Sequence, residues 1–289
     1  MNTRFEELKS KIQSLESQMG IKKKVRLEFC EFNKPCQAFL NKNIVKVSTW
    51  FLFKPDDIPP KFRITTTDDP RLVDDSFLNE LSDWMNGKLR EMGLSSLVCP
   101  IDHGALQSRI QSMCDPNLYE KSKDFLLAHE VAHLSHAETE GQLIHSHYIQ
   151  SSLSLLGIVG GVFLLSLAIS IIPFVHLTIT LTVIAVAVIV SVSSIFGWMN
   201  RQALPVPLSS ITEEKKADLD AVKALRDANG GIHHFETTRR HYLAVRRHNI
   251  ASRQVIDDNG NNLKDKEHPP LAERVAYLRQ WQLQFPQRA

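Results

Sequence analysis

Phe125-Leu-Leu-Ala-His129-Glu130-Val-Ala-His133-Leu134 is the segment from which the rest of the chain can be read. On an α-helix, residues four apart lie on one face, so the two imidazoles can reach one metal ion. The apolar residues around them predict a largely buried helix, running from near Asn117 through residue 137. A buried helix does not accept His, Glu and His without partners. Zinc bound by His129 and His133 would lower the pKa of a bound water, and Glu130 beside it could take the proton.

A tetrahedral site needs a further protein ligand. A metzincin would place a histidine six residues after His133, but that position is Thr139. The alternative is a glutamate from a later helix. In Glu213-Glu214-Lys215-Lys216-Ala217-Asp218, Glu214 and Asp218 are one turn apart. Glu214 would bind the metal, and Asp218 would orient a ligating imidazole through its far nitrogen. Glu213 competes, but the residue four ahead of it is Ala217. A plain acidic first turn complementing the helix dipole is the simpler reading of the same residues.

Between these two segments lies a long neutral stretch. Gly141 to Asn200 contains no Asp, Glu, Lys or Arg, in a chain that is 23% charged. It holds two apolar runs, Leu153–Ile172 and Leu177–Trp198, each long enough to span about 30 Å of hydrocarbon. Pro173 to His176 would turn between them, and Gly157 with Gly161 would let the helices approach closely. Lys121 and Lys123 precede the hairpin, and Arg201, Lys215 and Lys216 follow it. By the positive-inside rule, both flanks face the cytosol. Two spans return the chain to its starting side, so His133 and Glu214 can meet.

The expected fold is mainly α with a small antiparallel β-sheet, a metallopeptidase-like domain interrupted by a transmembrane hairpin. Residues 1–23 form an amphipathic helix carrying Phe5, Leu8, Ile12, Leu15 and Met19. Residues 24–140 hold the sheet (near 24–53) and the His129–His133 helix. The hairpin occupies 153–198, and residues 201–289 supply the later helices. Gly230-Gly231 reads as the close of the helix that starts at Thr212. His233, His234, Arg239, Arg240, Arg246 and Arg247 read as a solvated basic face that could touch lipid headgroups. His136, His145 and His147 read as solvated or interfacial. Lys+Arg is 34 and Asp+Glu 32, giving a formal charge of +2 and no electrostatic case for nucleic acid. Cys30, Cys36, Cys99 and Cys114 form no CxxC pair, and the charged opening is unlike a signal peptide, so the thiols read as reduced and cytosolic.

The order of motifs resembles a known family. His129 to His133 is an HExxH, Glu214 to Asp218 an ExxAD, and His268-Pro269-Pro270-Leu-Ala-Glu-Arg274 an HPPxxxR. Together with the hairpin they are similar to the HtpX heat-shock protease and the CAAX prenyl endoproteases. The resemblance covers 120–285 well and 25–54 loosely. It implies a zinc endopeptidase with one Zn2+ per chain, anchored in a bilayer, here a bacterial inner membrane. Its site would face the cytosol, with protein or peptide substrates that include misfolded or membrane proteins. His268 and Arg274 could stabilise a developing oxyanion; the simpler reading is a turn and a structural ion pair. Two other functions fit the same motifs: a catalytically silent membrane scaffold and a processing peptidase with one target. The stretch from Pro55 to Tyr119 is longer than the family's usual connection.

Overall fold

The computed structural model describes residues 2–67, 69–137, 211–248, 251–266 and 268–286. These fall in one compact unit made from residues 1–137 and 209–289. The expected hairpin, with His145 and His147, lies outside the described residues. Among those described, no helix is long and apolar enough to cross a membrane.

Helix α1 (Asn2–Gln18) buries Leu8, Ile12 and Leu15, one stripe at the three-four spacing of a helix. Gly20, at φ +69°, lets the chain leave. Three strands follow: β1 (Arg26–Cys30), β2 (Gln37–Phe39) and β3 (Ile44–Ser48). Their order is β1-β3-β2, with β1 parallel to β3 and β2 antiparallel to it. The sheet is therefore mixed, not antiparallel as the sequence suggested. The turn at Leu40–Lys42, closed by Asn43 at φ +54°, joins β2 and β3 as a hairpin. Its second strand then inserts beside β1, burying Val45 and Val47 completely, so β2 is left as an edge.

The stretch from Pro55 to Pro70 is a series of short 3-10 turns. Helix α2 (Asp75–Glu91) is capped by Asp74, which accepts from the Ser76 amide at 2.9 Å. It buries Leu78, Leu81, Met85 and Leu89. Gly93, at φ +76°, ends it. Helix α3 (His103–Ser112) is capped by Asp102. Helix α4 spans 116–137 and carries the HExxH residues. The Asp115 carboxylate caps it at the Leu118 amide, and Tyr119, Phe125, Leu127, Ala128, Val131 and Leu134 are buried along it.

Helices α5 (Ile211–Leu225), α6 (Asn229–His248) and α7 (Leu271–Gln284) complete the unit. Helix α5 ends at Arg226, which takes φ +54°, rather than at Gly230-Gly231. Those glycines instead open α6, where they let it lie against α4. A Cβ at Gly230 would collide with the backbone carbonyl of Lys121, and one at Gly231 would meet Phe125 and Leu278 below 3 Å. A small residue is needed for contact, not for a turn.

This packing predicts an asymmetry between two helical glycines. Gly230→Ala must push α4 and α6 apart, so it should destabilise the chain by roughly 1–3 kcal/mol. Gly87→Ala, in α2 with open space around it, should be neutral or gain up to about 1 kcal/mol in helix propensity. Thermal melts of the two variants beside the wild type measure the difference; equal midpoints would mean that α4 and α6 do not pack this closely.

Candidate metal centre

Helical periodicity places the donors. His129 and His133 lie one turn apart on α4, and Glu214 and Asp218 one turn apart on α5. One ligand atom each of His129, His133 and Glu214 converges, all within 4.8 Å of one another. His129 Nε2 and His133 Nε2 are 3.1 Å apart. His133 Nε2 is 3.1 Å from Glu214 Oε1, and His129 Nε2 is 3.3 Å from Glu214 Oε2.

These separations suit a metal. Ligand atoms about 2.0–2.1 Å from a tetrahedral zinc lie roughly 3.3 Å from each other. Glu214 Oε2 is buried and has no hydrogen-bond partner. Two imidazole nitrogens that face each other repel unless a proton or a cation stands between them. Two nitrogens and a carboxylate oxygen are donors that zinc accepts.

Charges around the donors are arranged for the same end. His129 Nδ1 is 2.9 Å from Asp218 Oδ1, an ion-pair distance bent away from good hydrogen-bond alignment. Asp218 is fully buried, and burial favours its neutral form. Arg274 foremost, then His129, outweigh this and hold the carboxyl down at about 2. Glu214 behaves alike: burial works against its charge, but His129 and His133 hold it well below the ordinary carboxylate range. For His129, burial disfavours the cation, yet Asp218 and Glu214 raise its pKa to about 10.

The structure places the other expected residues unevenly. Glu130, on the same helix, accepts a 2.7 Å hydrogen bond from the Ala38 amide through Oε2, which ties it to edge strand β2. Arg274 from α7 does not reach outward. Its Nε and one terminal nitrogen donate to the two oxygens of Asp218 at 2.7 and 2.6 Å, and its Cζ lies 4.0 Å over the Phe235 ring. His268 is partly exposed, with Nε2 3.7 Å from Glu214 Oε2 and Nδ1 3.0 Å from Asp265. Glu213 points elsewhere, 3.8 Å from His136 Nδ1.

Three features escaped the sequence reading. Tyr277, one turn after Arg274 less a residue, donates its hydroxyl to Asp218; the step of three from Arg274 was the available signal. His136, expected to be solvated, is buried and 2.9 Å from Asp220. His234, expected on an exposed basic face, is half-buried. Its pKa falls well below normal through burial, then through Arg109 and Arg274.

No family model, curated protein or solved structure matches this chain.

Glu214→Ala should abolish stoichiometric zinc, whereas Glu213→Ala should leave it intact. Asp218→Ala should weaken binding about 10–100-fold. Metal analysis of the purified variants decides among these. Because His129 is protonated below about 10 in the metal-free site and must be neutral to ligate, zinc binding near pH 7 should release a proton. Affinity should therefore rise with pH across the neutral range. Calorimetric titration in buffers of different ionisation enthalpy measures this; a buffer-independent heat would contradict the assignment.

Proposed function

We propose that the chain is a membrane-anchored zinc endopeptidase, acting on protein or peptide substrates from the side of the membrane that carries both α4 and α5. The observation that supports this reading best is the convergence of His129, His133 and Glu214 next to Glu130, with Glu130 held against an edge strand. The motif order similar to the HtpX and CAAX endoproteases and the neutral stretch 141–200 agree with it.

Zinc bound by His129, His133 and Glu214 would supply a Lewis acid that acidifies water and polarises a carbonyl. The remaining work falls to side chains of this chain. Glu130 keeps Oε2 on the Ala38 amide, which leaves Oε1 to take a proton from the attacking water. The same oxygen then delivers that proton to the departing amine, completing general acid–base catalysis. His268, whose Nε2 is 3.7 Å from Glu214 Oε2, could donate toward negative charge growing on the carbonyl oxygen. Arg274 is assigned a positioning role. Both of its forward-facing nitrogens are taken by Asp218, so it acts through Asp218 and His129 and does not touch substrate. Strand β3 is central in the sheet and has no free edge for a peptide. Edge strand β2 is the one that adjoins Glu130.

Glu130→Gln keeps the shape and the contact to Ala38 but cannot take a proton. Zinc content and folding should persist, while cleavage of an unfolded protein should fall about 100- to 10,000-fold. Retention of the wild-type rate, with contaminating proteases excluded, would remove the mechanism. Wild-type protein with full zinc and no cleavage of unfolded proteins or peptide libraries would favour the silent scaffold.

A further inference from the structure

Arg109, on α3, is half-buried and differs from the buried cations of the described unit. Lys123 pairs with Glu120, and Arg274 with Asp218. Among the described residues Arg109 has no carboxylate partner, and its Nε is buried with no hydrogen-bond acceptor. Its guanidinium lies 4.4 Å over the ring of Trp50. Trp50 is 2% exposed, and its indole Nε1 is also buried without a partner. The neighbouring Thr49 Oγ1 and the His241 Nδ1 of α6 are unpartnered as well. The groups whose charges bear on Arg109 are Cys36, Tyr119 and Tyr242, none of them acidic near neutral pH. His234 and His241 are both pushed towards the neutral form by burial first, and Arg109 adds to that effect. Among the described residues, a positive charge without a counter-charge thus stacks on an aromatic ring whose own donor is unused, which is costly unless an anion completes it.

Two links connect Arg109 and Trp50 to the metal centre. Cys36, which feels the charges of both Glu130 and Arg109, stands two residues before Ala38, whose amide holds Glu130. The Trp50 ring is 5.6 Å from that of Tyr119, on the helix that carries His129. Ten residues of helix separate Tyr119 from His129, about 15 Å. An extended peptide covers roughly 3.3 Å per residue, so that distance corresponds to three to five residues of substrate. Arg109 and His234 are only half-buried, so solvent reaches both.

We propose that Arg109, with Trp50 behind it, is a carboxylate-binding subsite that selects peptide substrates by an acidic group three to five residues from the scissile bond. A carboxylate matches the guanidinium fork in shape and charge. The group could be an Asp or Glu side chain or the free C-terminal carboxylate, and the subsite would read either. This inference rests on the endopeptidase reading for its biological meaning, but the binding itself can be measured without turnover.

The test uses the full-length Glu130→Gln protein, with and without added zinc, and fluorescent eight-residue peptides. In one series a single Glu or Gln is walked along an otherwise neutral, end-blocked peptide. In a second series a blocked C-terminus is compared with a free one. In at least one register the acidic peptide should bind about 10–100-fold more tightly than its neutral twin, the range of a charge-assisted hydrogen bond. Which series discriminates identifies a side-chain or a chain-end carboxylate. Adding Arg109→Gln should bring the ratio close to one, and Arg109→Lys should leave an intermediate ratio; the lysine variant serves alone if the glutamine one does not fold. Equal binding of all acidic and neutral twins, or an unchanged ratio in the Arg109 variants, overturns the proposal. Discrimination by a protein whose wild type cleaves nothing would refute the endopeptidase reading and leave the subsite standing.

Discussion

The buried carboxylate of Asp218 is the point on which three helices depend. Its Oδ1 meets Arg274 at 2.6 Å and His129 at 2.9 Å, and its Oδ2 meets Arg274 at 2.7 Å and the Tyr277 hydroxyl. One residue of α5 thus joins α4 and α7. A fully buried carboxylate loses its hydration, and only close opposite charge with several hydrogen bonds offsets that loss. Removing Arg274 would leave the Asp218 charge without its main counter-charge. The network also sets the orientation of His129, so the groups that stabilise the helix packing are the ones that aim a metal ligand.

The aromatic layer beneath this network explains the glycines. Phe125 of α4 and Phe235 of α6 pack edge to face with centroids 5.5 Å apart, and Arg274 stacks on the latter. For Phe235 to reach under Arg274, α6 must enter close to α4, and Gly230 and Gly231 permit it. The sheet contributes from the other side. Because β3 takes the centre, β2 stays at the edge, and the Ala38 amide is free to bind the carboxylate of Glu130 instead of another strand. The general base of the proposed reaction is thus fixed by backbone rather than by a second side chain.

Arg274, buried, and Arg109, half-buried, show why residue type alone does not assign a role. Arg274 is neutralised by Asp218, to which two of its nitrogens donate, which makes it a structural and positioning group. Arg109 is matched with an aromatic face and no anion. The first stabilises what is already there. The second carries an interaction not yet made, and this is the physical ground for looking to a ligand.

Helical spacing made the metal donors legible in the sequence. His129 and His133, and Glu214 and Asp218, are pairs at four-residue spacing, and a helix converts that spacing into a shared face without help from the rest of the fold. The stripe of α1 could be read for the same reason: it depends on neighbours in sequence. Other features could not. Whether β3 pairs with β1 as well as β2, whether two glycines end a helix or admit a neighbour, and whether Arg274 faces solvent or Asp218 are all set by contacts between residues far apart in the chain. The same holds for Arg109 and His234, which look like ordinary helical surface residues in the sequence. Local periodicity determines which side chains share a face, but only the packing of helices and sheet decides what that face meets, because burial and the presence or absence of a counter-charge belong to the tertiary structure.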